Sequence, residues 1–598
     1  MSAQKTTWHF LDSKESLVQE FSKELKLSPL TCRLLIQRGI QSLDEARDYL
    51  NPSLRSLPSP FLLQDMEKAV QRIERALLTQ EMICVYGDYD VDGTTGASLL
   101  FQFFKNIGAT VYYYIPHRIR EGYGLNPGIL EKLKAQDTKL VITCDCGTAN
   151  HEEIRLIQSE GMDVIITDHH QIQSGHPPAY AFLNHQRLDC KYPQKTLSGV
   201  GVAFHLVMAT RLHLRETGYF KDRQEPDIKD YLDLVALGTI TDMVPIQGVN
   251  RILIANGLKV LNHCKRVGLR ALMEKAGILN TEITSQSVGF GIGPRINAGG
   301  RIDHAQIIVE LLTTEDESRA CELAEFLEKK NKERRNIQER IFREACQFIA
   351  LSFTVRDEVS MSLRGEQSSP WQSNLDSVLG FITDKCIVVG SHLWHPGVIG
   401  IVASKLVEKY YRPAVVVAFL EDGMGKGSCR SIAGFDLTQA LLSCREHLEQ
   451  CGGHAAAAGL SVRKEKFLDF AHCFHTAVEQ RTNKQSFIPR LTLDAEADLE
   501  CMTEEFVREI KYLEPFGVSN PEPVFASRNL KISTSKIVGE KHLKLFVKSK
   551  TKVREAIAFN KADVAQTLSE SVDLAYVPEL HEWRGITSVQ LRVKDLQT

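Results

Sequence analysis

Apolar and polar positions change their period several times along the chain, and each change predicts a different kind of structure. Over residues 1–79, SLVQEFSKELKL, LTCRLLIQRG and LDEARDYL repeat apolar positions at helical spacing before the Pro and Ser punctuation of NPSLRSLPSP. This predicts a helical lead-in. From Met82 the texture turns to short apolar runs, MICVY, TVYYYI, LVITC and VIIT, separated by amphipathic segments such as GASLLFQFFKNIG and GILEKLKAQ. Such alternation predicts βαβ units on a mostly parallel sheet, assigned here to residues 80–310.

Between Glu315 and Phe353 there is no Gly or Pro, and charge of both signs is dense. Ala320, Leu323, Phe326, Leu327, Ile337, Ile341, Ala345 and Phe348 fall on one helical stripe. A helix of about 35 residues reaches about 50 Å, which predicts a long connector over 311–354. Residues 356–378, RDEVSMSLRGEQSSPWQSNLDSV, are polar and unpatterned and predict a surface loop. A second, smaller α/β unit over 355–484 follows from CIVVGS and AVVVAFL as strands and HPGVIGIVASKLVEKYY as a helix. In the last region, 485–598, period-2 segments such as LKISTSKIV and HLKLFVKSK predict a small β-barrel or sandwich, with Leu543, Leu545 and Val547 alternating with polar residues. The expected class is α/β and multidomain.

Composition narrows this picture. The chain has 598 residues, 43% hydrophobic and 25% charged, which is ordinary for folded protein and argues against a disordered or fibrous chain. Net charge is −3, so a nucleic-acid partner would need a local basic groove. The 14 cysteines form no CxxC pair and are expected to be reduced. MSAQKTTWHF lacks a signal-peptide pattern, and no apolar run reaches the length of about 18 residues that spanning a membrane takes, so a cytoplasmic location is expected.

The chemistry-bearing positions share one architectural feature. MICVY leads to Asp88, Asp90 and Asp92; LVITC to Asp145; VIIT to Asp168, His169 and His170; and the apolar LVALGTIT to Asp242. Ligand sites collect at the carboxyl ends of parallel strands, so these groups can converge. Any one of these acids could serve as a helix N-cap, but capping does not explain DYDVDG or DHH. Oxygen donors with imidazole suit Mn²⁺ or Mg²⁺. A carboxylate-rich set can hold two ions about 4 Å apart for phosphoester hydrolysis.

DYDVDG, CDCG, DHH and TDMVP, in that order, resemble the four motifs of the DHH phosphoesterase superfamily. GPRINAGGRIDHA, WHPGVIGIVASKL, GSCRS and CGGHAAAAG, followed by LEPFGVSNPEPVF and WRGITSVQLRVKD, are similar to its RecJ branch with DHH, DHHA1 and OB domains. The resemblance runs from about residue 30 to the end. It implies a two-metal enzyme, Mn²⁺ preferred or Mg²⁺, that degrades single-stranded DNA from the 5′ end to mononucleotides in repair and recombination. A single-strand-binding protein and a repair helicase are implied partners, and a monomer is expected.

By the family pattern Asp88, Asp90 and Asp145 would hold one ion, and Asp92, Asp145, His169 and Asp242 the other. His170 would face the scissile phosphate, and Asp168 would orient the histidines. Relatives with a histidine four residues before the second aspartate of the first motif have Tyr86 at that position here, and Asp88 is its expected replacement. Arg301, Ser428 and Arg430 resemble the receivers of a terminal phosphate, with Arg118 or Arg120 beside them; the guanidinium fork suits phosphate oxygens. His454 of GGHAAAAG is implied to meet nucleic acid, although its alanines also suit a helix start. His395, before Pro396, is placed at a helix N-terminus, where anions are favoured. In the C-terminal β region, Phe546, Phe559, Tyr576 and Trp583 are candidates for base stacking. Ser519 stands where the family often has glycine. Two other readings remain: a phosphodiesterase for short oligonucleotides or cyclic dinucleotides, and a non-catalytic single-strand-binding scaffold.

Overall fold

The computed structural model of the chain describes residues 6–118, 120–173, 175–302, 304–359, 378–482, 487–583 and 585–597. Two compact units account for them, one drawn chiefly from 329–490 and the other from 8–328 with 491–597.

The amino-terminal region opens with a strand that its helical spacing does not predict, β1 (Thr7–Phe10), paired with a later strand. Helices follow: α1 (Glu15–Leu25), α2 (Pro29–Gln37), α3 (Leu43–Leu50) and α4 (Met66–Leu78). Ser28 and Ser42 cap α2 and α3 through their side chains, and Pro29 occupies the first turn of α2. Their buried residues join cores shared with later regions of the chain. Val18, Phe21, Leu34 and Leu35 pack with Phe506, Phe525, Leu545 and Leu591 of the carboxyl-terminal region. Ala69, Val70 and Ile73 of α4 join the core of the next domain.

That domain holds a five-stranded sheet. β2 (Met82–Gly87), α5 (Val91–Asn106), β3 (Val111–Tyr114), α6 (Ile129–Ala135), β4 (Thr138–Cys144), α7 (His151–Ser159), β5 (Asp163–Thr167) and β6 (Ala181–Leu183) give the order β3-β2-β4-β5-β6. Every pairing in it is parallel. Ile83 and Val85 enter one core while Cys84 and Tyr86 enter another on the opposite face. Burial on both faces explains why these strands read as continuous apolar runs. The α8 (Gly199–Glu216), α9 (Leu232–Thr241), α10 (Gly248–His263) and α11 (Val267–Ala276) helices complete the first core, followed by a π-helical turn over Ser287–Ile292, α12 (Gly293–Ile302) and α13 (Gln306–Thr313). Buried Arg251 donates to the carbonyls of Tyr49, Leu513 and Tyr512, tying this domain to the amino- and carboxyl-terminal regions of the same unit.

The connector, α14 (Glu317–Val359), runs for 43 residues, longer than expected and about 64 Å at the standard rise. It overruns the start of the expected polar loop, of which 360–377 lie outside the described residues.

The second unit contains β7 (Val378–Ile382), β8 (Ile387–Ser391), α15 (Ile399–Tyr410), β9 (Ala414–Phe419), β10 (Met424–Arg430), α16 (Leu437–Leu442), β11 (Gln450–Gly453), β12 (Ala457–Arg463) and α17 (Phe467–Arg481). Its sheet order is β11-β12-β10-β9-β8-β7. The GGHAAAAG segment forms the β11–β12 hairpin rather than a helix start, because pairing of Ala457, Ala458 and Gly459 with Arg430, Cys429 and Ser428 overrides alanine's helical preference.

The chain ends in a barrel. After β13 (Arg490–Leu493), β14 (Ala495–Glu496) and α18 (Glu504–Lys511), strands β15 (Phe525–Val538), β16 (His542–Lys548), β17 (Val553–Ala558), β18 (Ser571–Trp583) and β19 (Ile586–Gln597) pair in the order β15-β16-β17-β19-β18. An additional β15–β18 pairing closes the circle. Leu543, Leu545 and Val547 point into its core. Tyr576 is buried there and hydrogen-bonds Ser527, which removes it as a stacking candidate. Phe546 and Phe559 are exposed, and the side chain of Trp583 lies outside the described residues. Ser519 has φ 61°, the conformation glycine would supply, at a cost of about 1 kcal/mol.

Candidate metal centre

Parallel pairing continues one residue past the strand ends and sets three acids side by side. The Asp88 N–H donates to the Cys144 carbonyl (3.2 Å), Asp145 N–H to Thr167 (3.0 Å) and Asp168 N–H to Leu183 (3.1 Å). Asp145 then turns through a left-handed backbone, φ 62°. Asp90 N-caps α5, its Oδ1 accepting from the Gly93 N–H at 3.0 Å, so capping and site chemistry fall on one residue. Asp92, buried in the first turn, accepts from the Gly199 and Val200 N–H groups at the start of α8 (2.5 and 2.9 Å). A Cβ at position 199 would stand 2.6 Å from the Cβ of Asp145, so only glycine brings this helix start so close. Asp242 closes the carboxyl end of α9.

His169 stands at the meeting point. Its Nε2 is 3.1 Å from Asp145 Oδ1, 3.7 Å from Asp242 Oδ2 and 3.9 Å from Asp92 Oδ2. Asp88 Oδ1, Asp145 Oδ1, His169 Nε2 and Asp242 Oδ2 are all buried and all lack a hydrogen-bond partner. Buried polar atoms are rarely left so. Burial raises the carboxyl pKa values of Asp88, Asp92 and Asp145 well above the usual range, and neighbouring carboxylates raise them further. Burial also raises that of Asp242. A divalent cation satisfies the empty donors and the repelling charges together. Among the described residues, donor atoms gather in three groups, Asp88 with Asp90 and Asp145, Asp92 with His169 and Asp242, and Asp145 with His169 and His170. Oxygen with imidazole fits Mn²⁺ or Mg²⁺.

Asp168 differs from the other acids because its oxygens are occupied. Oδ1 accepts from the backbone N–H groups of His169 and His170 and lies 2.7 Å from His170 Nδ1; Oδ2 accepts from the Thr148 N–H. Burial opposes its ionisation, but the His170 and Thr148 hydrogen bonds outweigh that and hold it below the usual carboxylate range. Burial likewise opposes the His170 imidazolium, yet Asp168 raises its pKa to about 9. Tyr86 donates to the Gly124 carbonyl and is fully buried.

Sequence reasoning missed the Gly199 and Val200 amides, Thr148, and Asn184, which donates to the His170 carbonyl at 2.9 Å. The serine and paired glycines of SGVG were the available signal, since Ser198 caps α8.

The basic candidates divide between the units. Arg118 lies over the Tyr89 ring at 4.7 Å, and Gly300, just before Arg301, packs against the Tyr89 carbonyl, so both arginines flank the DYD segment. Arg120 is exposed in the same loop as Arg118. In the other unit Arg430 donates to Ser428 Oγ (3.1 Å) and the Cys429 carbonyl (2.8 Å). His454 is exposed in the β11–β12 turn. His395 is not at a helix N-terminus: α15 starts at Ile399, and His395 Nδ1 instead accepts from the Gly397 N–H in the preceding turn. Burial lowers the pKa of its ring, which disfavours the cationic form.

Three family models match the chain: the DHH family N-terminal domain over 82–239, the DHHA1 domain over 383–480 and the RecJ OB domain over 493–595. The single-stranded-DNA-specific exonuclease RecJ of Bacillus subtilis (strain 168) is 34% identical, covering 100% of this chain and 71% of its own length. That of Dickeya dadantii (strain 3937) is 35% identical over 95% of this chain and 96% of its own. The chain belongs to the RecJ family. The crystal structure of RecJ in complex with Mn²⁺ from Thermus thermophilus aligns with a TM-score of 0.80 and 28% identity, covering 99% of this chain and 80% of that one. The RecJ fold therefore carries the acid and histidine cluster found here, and a Mn²⁺-bound RecJ structure is consistent with its donor chemistry.

Proposed function

We propose that this chain is a metal-dependent exonuclease that hydrolyses single-stranded DNA from the 5′ end to mononucleotides. The observation that carries the reading is the set of four buried, unpartnered donor atoms on Asp88, Asp145, His169 and Asp242 at one end of the parallel sheet. We assign Asp88, Asp90 and Asp145 to one cation and Asp92, Asp145, His169 and Asp242 to a second. The donor groups support this division, with His169 close to Asp145 as well as to Asp92 and Asp242. Bound divalent ions supply charge neutralisation and lower the pKa of a coordinated water.

The chain's own residues do the rest. Asp168 holds the His170 imidazole protonated and oriented, so that it meets the scissile phosphate as a hydrogen-bonding cation. The Gly199 and Val200 amides favour Asp92 in its anionic form. Arg301, with Arg118 and Arg120 in its unit, and Ser428, Arg430 and His454 in the other, receive phosphate oxygens; His395 serves as a structural acceptor. We further assign the chain to repair and recombination, as a monomer in the cytoplasm, with a single-strand-binding protein and a repair helicase as partners. None of the described helices is long and apolar enough to cross a membrane. The regions 1–79, 80–310, 311–354, 355–484 and 485–598 are the working divisions for domain deletions.

Incubation of end-labelled, 5′-phosphorylated single strands with Mn²⁺ tests the reading. Mononucleotides should appear first from the 5′ label, duplex DNA should persist, and Asp145→Asn should be inert while folded. Equal degradation of duplex, release from the 3′ end first, or wild-type cleavage by Asp145→Asn would overturn it.

A further inference from the structure

Tyr123 lies between β3 and α6, three residues after Arg120. The side chain is divided in its environment. It is 46% exposed overall, yet its hydroxyl reaches into the centre, donating to the Asp145 carbonyl at 2.9 Å. The same oxygen is 3.1 Å from His170 Nδ1 and 3.4 Å from Nε2. The phenol ring meets the imidazole edge-on, with centroids 5.5 Å apart.

A phenol carries one hydrogen and can also accept. Since the Asp145 carbonyl takes that hydrogen, the oxygen's lone pairs are left for the imidazole. Asp168 Oδ1 already grips Nδ1 at 2.7 Å, which fixes one nitrogen but leaves the ring free to rock about that bond. An oxygen lodged against the edge between the two nitrogens removes this freedom. Nε2 is then the nitrogen that Asp168 does not engage. A tyrosine that merely filled space would not need its only polar atom at this point.

We infer that Tyr123 is a positioning residue for the hydrolysis, its hydroxyl locking the His170 imidazole against Asp168 so that the ring meets the substrate phosphate in one orientation. This rests on the nuclease reading above. Partners that orient a site residue in this way are typically worth about 10- to 100-fold in activity.

The test is a double-mutant cycle on the full-length protein, read as single-turnover cleavage of 5′-phosphorylated single strands with excess enzyme and Mn²⁺. Tyr123→Phe should lower the maximal rate by about 10- to 100-fold and leave the half-saturating enzyme concentration and the Mn²⁺-induced thermal shift unchanged. In a His170→Ala background the same substitution should cost less than about twofold, because residues acting through one another are not additive. An undiminished rate in Tyr123→Phe, an equal loss in both backgrounds, or a lost Mn²⁺ shift would overturn the inference; the last would place the role on the Asp145 backbone instead. A wild-type protein that leaves single strands intact would instead overturn the nuclease reading, so the two failures are distinct.

Discussion

The acids at the ends of β2, β4 and α9 and the arginine on β10 meet the cost of burial in opposite ways. The acids are crowded, their pKa values are raised, and four donor atoms lack partners. Arg430, half-buried, engages Ser428 Oγ and the Cys429 carbonyl of its own strand through one guanidinium nitrogen. One cluster is incomplete without a cation. The other already holds neutral partners and can exchange those weak hydrogen bonds for a phosphate, which charge assistance makes stronger. A site for a permanent ligand and a site for a passing one thus differ in what they leave unsatisfied.

Asp145→Asn tests the contrast most severely. Activity should fall by at least about 1000-fold (about 4 kcal/mol), while the metal-free variant should melt above the metal-free wild type because one of the repelling charges is gone; differential scanning calorimetry in chelator measures this. If the variant melted lower, the crowding argument would fail.

Metal and pH come next. Carboxyls whose folded pKa lies above the unfolded value contribute stability at low pH and lose it as pH rises through the folded value. Metal-free protein should therefore lose thermal stability as pH rises above the ordinary carboxylate range. Mn²⁺ at 100 times its Kd should restore about 2.7 kcal/mol. Parallel melting curves with and without Mn²⁺ should diverge as pH rises; curves that stay parallel would show that no cation relieves these acids.

Arg430→Ala should be milder, raising KM for 5′-phosphorylated strands by about tenfold (about 1.4 kcal/mol), with the Mn²⁺ shift intact. Strands with a 5′-hydroxyl should show a smaller difference. An equal effect on both strands would remove Arg430 from phosphate recognition. The smallest effect should come from Tyr576→Phe, which removes a buried hydrogen bond to Ser527 and should cost about 1 kcal/mol in the melt without changing single-strand affinity in a titration. Weaker binding would return Tyr576 to the strand-binding surface.

Much of this was legible along the chain because parallel strands buried on both faces produce apolar runs, and three of those runs, MICVY, LVITC and VIIT, led to an acid. Helical spacing revealed the amino-terminal helices but not their partners: the pattern says which face of α1 is apolar, and cannot say that Phe21 meets the carboxyl-terminal core. His395 was misplaced because a Pro beside a helical run suggests a first turn, whereas three more residues pass before α15 begins. The alanines of GGHAAAAG carry a helical preference that cross-strand pairing overrules. The Gly199 and Val200 donors were invisible for a simpler reason. Main-chain N–H groups carry no residue signature, and only the closeness demanded of Gly199 betrays them.

The hydrogen bonds that run one residue beyond the strands also make the sheet a ruler. Neighbouring strands lie about 4.8 Å apart, a spacing that lets carboxylates at adjacent strand ends share one cation. Asp88 and Asp145 sit on adjacent rungs of that scale. Their separation is therefore calibrated by peptide geometry, which substitution elsewhere cannot stretch.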